Sequence, residues 1–234
     1  LFSFLFGFGF AVQLLRAQER GERFVPRYTR RLLVLLLFGV AHATLLWYGD
    51  ILVTYALLGF ALLLFRNLSP RALLIWALAL LAGMTLLLGA GIVFVELQRA
   101  DPSAGGAILA AEREQLLSAQ AEINRDTALY QGGSYGELIV ARTLPPVGLI
   151  YNLVTQGIPV LAMFLLGLYA GKRGILADVP AHRSLLRRVR FWGLLLGLTL
   201  SALLVLAQTQ LSLFAGLAAL LLASVATPAL ADAA

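Results

Sequence analysis

The sequence contains no cysteine, only two histidines among 234 residues, and charged side chains at just 13%. The absent thiols exclude a disulfide framework, a thiolate nucleophile and a cysteine metal site. Two histidines without cysteine leave no zinc or haem constellation, and neither a P-loop nor a Gly-x-Ser-x-Gly elbow occurs. A soluble domain carries about 25% charged residues. The shortage here is matched by 60% hydrophobic residues and a mean hydropathy of +0.88. No single soluble core can hide so much apolar surface, which excludes the soluble-enzyme, disordered and collagen-like classes.

What is present is a series of apolar runs divided by short polar segments, the pattern of an all-α polytopic transmembrane helix bundle. Seven spans are expected: Leu1 to Leu15, Leu32 to Tyr48, Ile51 to Phe65, Arg71 to Val95, Val147 to Gly171, Phe191 to Ala207 and Leu211 to Thr227. Gly49-Asp50 and the segment Gln208 to Gln210 read as turns, and Asn67-Leu68-Ser69-Pro70 as a break with a new helix start. The whole chain, 1–234, reads as one helical membrane domain with a long loop, 96–146, inserted in it. The chain opens inside an apolar run without Met and closes without a terminal signal, so the reading is of a fragment lacking both ends.

The formal net charge of +6 does not point to nucleic acid, because the cations sit between apolar runs. Arg16, Arg20, Arg23, Arg27, Arg30 and Arg31 form one group, Arg66 and Arg71 a second, and Lys172, Arg173, Arg183, Arg187, Arg188 and Arg190 a third. The positive-inside rule places all three on the cytoplasmic side of a bacterial cytoplasmic membrane. These arginines also suit anionic lipid or a phosphorylated acyl donor such as acyl-coenzyme A. Acids outnumber arginines in loop 96–146, which therefore belongs outside. Within it, Ala107 to Leu129 reads as an amphipathic helix, and Tyr135 to Arg142 as a short second helix.

Ionisable groups within a span are costly and usually functional. His42 falls near the middle of the second expected span. Asp50 follows eight residues later, about 12 Å along a continuous helix, too far for direct contact. A general base at His42 and an orienting carboxylate at Asp50 are the catalytic candidates. Against this stand an interhelical hydrogen bond for His42 and a cap for Asp50. Tyr55, Asn152, Gln156 and Arg142 are the candidate substrate-binding residues, with Thr54, Thr155, Glu96 and Pro159 nearby in depth. Glu137 joins Arg142 as a possible contact for an anionic group. Interhelical glue explains the same side chains. Gly167-xxx-Gly171 and Gly193-xxx-Gly197 permit close helix approach.

Certain stretches resemble the YeiB-like bacterial inner-membrane proteins, which carry domain of unknown function 418. They are Leu1-Phe2-Ser3-Phe4-Leu5-Phe6-Gly7-Phe8-Gly9, Arg30-Arg31-Leu32, Gly39-xx-His42, Trp47-Tyr48-Gly49-Asp50-Ile51-Leu52 and Tyr55-Ala56-Leu57-Leu58-Gly59. Met163 to Gly167 and Arg173-Gly174-Ile175-Leu176 extend the likeness. The resemblance implies a longer parent with further spans at both ends, and an association with transport. A more distant likeness to multi-pass acyltransferases implies transfer of an acyl group to an extracytoplasmic acceptor. Three readings stay open: an acyl-transfer enzyme with acyl-coenzyme A as donor and no bound cofactor, a transporter, or a structural or regulatory membrane protein.

Overall fold

The computed structural model describes residues 1–47, 50–101, 105–142 and 146–226, all of which are helix, turn or irregular chain. The expected turn residue Gly49, the second span's last residue Tyr48 and the C-terminal stretch from Thr227 lie outside the described residues. The helices are α1 (Phe2–Glu19), α2 (Phe24–Ala41), α3 (Leu52–Leu64), α4 (Pro70–Ala100), α5 (Gly105–Gly132), α6 (Tyr135–Arg142), α7 (Pro146–Asn152), α8 (Ile158–Lys172) and α9 (Arg183–Ala226). Two wide π turns interrupt this order: π1 (His42–Leu46) continues α2, and π2 (Leu153–Gly157) leads into α8. The chain forms two compact units, Leu1–Ala177 and Asp178–Ala234.

In the first unit α1 and α8 cross at backbone contact. A Cβ added to Gly7 would lie 1.9 Å from the Phe164 carbonyl oxygen, and one on Gly167 would lie 2.1 Å from that of Phe4. Small residues substitute here for the hydrophobic drive that lipid cannot supply. Phe10, Phe164, Leu165 and Leu168 are fully buried around the crossing. Phe6 stacks on Phe164, and Tyr55 meets both rings edge-on.

Two glycines end helices. Gly21 (φ 65°) and Gly174 (φ 63°) take the left-handed conformation. Glu22 N–H donates to the Ala17 carbonyl and Ile175 N–H to that of Ala170, the six-to-one bond of a Schellman end. Each reversal is therefore sharp. Lys172 Nζ then donates to the carbonyls of Arg66 (2.6 Å) and Leu68 (2.8 Å), closing the chain after α3.

The span expectations change in three ways. Among the described residues, three helices rather than seven are long and apolar enough to cross a membrane: Phe24–Leu46, Pro70–Arg99 and Gly148–Lys172. The helix at Leu52–Leu64 has 13 residues, about 20 Å of rise. The turn expected at Gln208 to Gln210 is helix, so the expected sixth and seventh spans share the 44-residue α9. Its polar residues did not outweigh the helix-forming Leu and Ala on both sides. Finally, Arg16, Arg27, Arg30 and Arg31 stand on α1 and α2 rather than in a loop, because α2 begins at Phe24.

In the segment 96–146 the two helices lie where they were expected. Helix α5 contains the expected Ala107 to Leu129, and α6 has the expected bounds. Ser134 and Glu137 form a capping box: Glu137 Oε2 accepts from Ser134 N–H (2.7 Å), and Ser134 Oγ accepts from Glu137 N–H (3.4 Å).

Along α4 the apolar residues face outward. Among the described residues only Leu73 and Ala77 are buried core positions of α4, while Ile75, Trp76, Leu86, Leu87, Ile92 and Phe94 are exposed. A water-facing surface of this kind would aggregate, and lipid is the solvent it suits.

Candidate functional site

His42 and Asp50 are in contact. His42 Nδ1 lies 2.9 Å from Asp50 Oδ1. The expectation that these residues could not touch assumed an unbroken helix, and the chain does not provide one. From His42 it widens into π1, where Trp47 N–H donates to the His42 carbonyl, and Trp47 itself is extended (φ −157°, ψ 125°). The extended residue turns the chain so that Asp50 arrives beside His42. His42 also sits near the end of the apolar stretch Phe24–Leu46 and not at its middle.

Gly39 makes the approach feasible. A Cβ there would lie 2.7 Å from the Val53 backbone nitrogen and 3.1 Å from Leu52 Cβ. With no side chain, α2 presses against the first turn of α3. The next helical turn on that face carries His42. This is the physical content of Gly39-xx-His42.

Asp50 is sealed, with its side chain 2% exposed, and its other oxygen, Oδ2, accepts from Val53 N–H (2.8 Å). That bond is the capping role expected for it. The cap fixes the carboxylate, and the carboxylate faces the imidazole. The His42 side chain is 35% exposed. The contact is an ion pair by distance. It lies off the line of a hydrogen bond, and neither Nδ1 nor Oδ1 has another partner among the described residues. The carboxylate lies on the Nδ1 side of the ring, so Nε2 is the nitrogen away from it.

Arg142 joins this corner from α6. Its Nη1 donates to the Leu45 carbonyl (2.9 Å), and the Tyr135 hydroxyl donates to the same oxygen (2.7 Å). The carbonyl is free because the chain stops being helical at Trp47. The Arg142 guanidinium also lies 5.5 Å from the centre of the Tyr130 ring, and its buried Nε has no partner among the described residues. Arg142 is thus held by the protein, with its buried Nε–H unpartnered among the described residues.

The remaining candidates are not brought to this corner. Tyr55 is buried in the α1–α8 core, where its hydroxyl shares a 2.7 Å hydrogen bond with Ser3 Oγ. Asn152, just before π2, is half-buried, and Gln156, within π2, is exposed. Neither forms a side-chain hydrogen bond among the described residues. Pro159 lies just past π2 in the first turn of α8. Its ring would strike the Thr155 carbonyl in a regular helix, and the widened turn relieves that contact. Glu96 pairs with Arg99 (2.7 Å), which also reaches Glu112 on α5. Glu137 is used by its cap: donation from the Ser134 N–H and hydroxyl holds its carboxyl below the usual range. Among the described residues no cluster of His, Asp or Glu is arranged for a metal.

Tyr135 and the Leu45 carbonyl were not legible as site residues. Their role depends on where π1 ends, and no residue pattern announces that. Gly39 was visible as a motif position, but its reason lies in the partner helix.

The chain is similar to the uncharacterized protein YxaH of Bacillus subtilis (strain 168), with 38% identity over 226 residues, covering 92% of this chain and 53% of that protein. It is also similar to an uncharacterized 39.9 kDa protein in the amylase 3' region of Bacillus acidopullulyticus, with 41% identity over 71 residues, 30% of this chain and 20% of that protein. The chain therefore spans about half the length of the first relative. No family model matches it, and no solved structure does.

Proposed function

We propose that the chain is the helical part of a multi-pass protein of the bacterial cytoplasmic membrane, of the YeiB-like kind, and that it transfers acyl groups with His42 as general base. The His42–Asp50 contact carries this reading. A part-exposed imidazole with a sealed carboxylate beside Nδ1 is suited to accept a proton. Nε2 takes the proton of an acceptor hydroxyl or amine as that atom bonds to the acyl carbonyl carbon. With acyl-coenzyme A as donor, the thioester C–S bond breaks and the imidazolium returns the proton to the departing thiolate. Arg142, with a buried unused N–H, is suited to hold an anionic part of the acceptor. The charge bias of the sequence supports an outer position for the π1 corner, where an extracytoplasmic acceptor would arrive.

A second reading, transport, draws on the interruption of two apolar helices at π1 and π2. Interrupted helices free backbone groups for a solute. Here the same corner would bind an unmodified solute and pass it on.

The test uses the full-length protein in proteoliposomes. Wild type is compared with His42→Gln and Asp50→Asn for acyl-coenzyme A turnover, each checked for wild-type melting. Removing a general base is expected to cost about 10²–10⁴-fold. Turnover absent from wild type across several chain lengths overturns the acyl-transfer reading, and solute flux that His42→Gln abolishes would support transport.

A further inference from the structure

The opposite end of α2 carries a second site, independent of the acyl-transfer reading. Tyr28 and His42 are 14 residues apart along helix, about 21 Å. Around Tyr28, where α1 ends and α2 begins, lies a hollow of about 150 Å³ bordered by Arg16, Arg20, Arg27, Arg31 and Glu22. The Schellman end at Gly21 reverses the chain within a few residues, so the arginines of both helices meet at one place. Glu22 neutralises part of this charge by bonding Arg27, and Arg31 Nη1 donates to Gln13 Oε1 (2.7 Å). Arg16 and Arg20 have no side-chain partner among the described residues. The hollow is strongly positive.

Tyr28 supplies the second observation. It is 5% exposed, clamped between Phe10 and Phe24. Its hydroxyl is buried and has no partner among the described residues. Such a group costs stability unless something bonds to it. Tyr28, Gln13 and Arg31 also border a second hollow of about 310 Å³, continued by Leu5, Phe6, Gly9, Leu32 and Leu35. The basic hollow and an apolar groove between α1 and α2 thus share Gln13, Tyr28 and Arg31 as a common border, on a helix that is apolar enough to cross a membrane.

We infer that this is a binding site for an anionic phospholipid, with the phosphate among Arg16, Arg20 and Arg31, a phosphate oxygen accepting from the Tyr28 hydroxyl, and an acyl chain along Leu5, Phe6, Leu32 and Leu35. Charge complementarity selects an anion, and the groove selects one with an attached chain. The start of a membrane-crossing helix is where lipid headgroups lie. A soluble acyl donor presents the same phosphate-plus-chain chemistry and is the occupant to be distinguished.

The experiment is native mass spectrometry of the detergent-solubilised chain, titrated with phosphatidylglycerol, phosphatidylcholine of the same chains, palmitoyl-coenzyme A and inorganic phosphate. Phosphatidylglycerol is expected to bind and phosphatidylcholine to bind at least about tenfold more weakly. Arg16→Gln with Arg20→Gln is expected to weaken phosphatidylglycerol about thirtyfold, at about fivefold per arginine. Both residues are exposed, so the fold is not at stake. Tyr28→Phe keeps the ring packing and is expected to lose about three- to tenfold. Arg187→Gln, in the second unit, is expected to change nothing. Equal binding of the two lipids, or phosphatidylglycerol binding indifferent to all the first-unit variants, overturns the site. Palmitoyl-coenzyme A binding tighter than lipid, with the same sensitivity to the variants, overturns the lipid as occupant. Displacement of lipid by inorganic phosphate alone overturns the role of the groove.

Discussion

Gly39 presses against the backbone nitrogen of Val53, the same nitrogen whose N–H Asp50 caps. One contact therefore sets both the packing of α2 on α3 and the position of the carboxylate at His42. Gly39→Ala puts a methyl group 2.7 Å from that nitrogen, and backbone cannot swing aside as a side-chain tip can. The expected result is a loss of about 1–3 kcal/mol, read as a lower melting temperature in detergent, together with lost turnover. Wild-type melting and turnover would show that the approach is looser than this.

The α1–α8 crossing makes a paired test. Gly167→Ala inserts a Cβ 2.1 Å from the Phe4 carbonyl oxygen, whereas Gly9→Ala meets nothing within 4 Å. The first is expected to cost about 3 kcal/mol or more by forcing the helices apart. The second is expected to be neutral or stabilising by up to about 1 kcal/mol, through helix propensity. Thermal melts of both, side by side, check the sign as well as the size.

Tyr135 and Arg142 share one acceptor, the Leu45 carbonyl. Tyr135→Phe and Arg142→Gln should each cost about 0.5–1.5 kcal/mol, since one donor remains. The double variant leaves the carbonyl without either donor and should cost more than the two together. A double-mutant cycle with an interaction near zero would show that the two bonds are independent.

The capping box gives α6 a pH dependence. Glu137 has its folded-state carboxyl held low by Ser134. Its contribution is therefore present above the unfolded value, near 4.5, and is lost as pH falls through the folded value. Hydrogen-exchange protection across Tyr135–Arg142, corrected for intrinsic rates, is expected to fall in that acid window. Glu137→Gln should flatten the dependence, because an amide keeps a cap without titrating.

Local chemistry was the legible part. Helix α6 begins and ends where its residues indicate, although the Ser134–Glu137 cap at its start was not read, Glu137 being expected as an anion contact. Gly167-xxx-Gly171 announces close packing, and the partner backbone is there. Gly193 and Gly197, of the same spacing, have nothing within 4 Å, so spacing permits an approach without supplying the partner. The His42–Asp50 contact was hidden because its separation was reckoned at 3.6 residues per turn, and one π turn with one extended residue invalidates that measure. The arginines before Arg31 resembled a loop because charge marks surface, and a helix end at the membrane boundary is surface too. At Gln208 to Gln210 polar side chains suggested a turn, yet no glycine or proline stands there to break α9.

Helix α4 turns the membrane into a ruler. Between Arg71 and Glu96 it carries no charge, a stretch of about 36 Å at 1.5 Å per residue. The hydrocarbon layer is about 30 Å thick. The helix must lean or the bilayer must swell around it. Because α4 packs along α8, any lean is transmitted to the helix that follows π2. A bilayer thinner than the uncharged stretch of α4 thus acts on the α4–α8 pair.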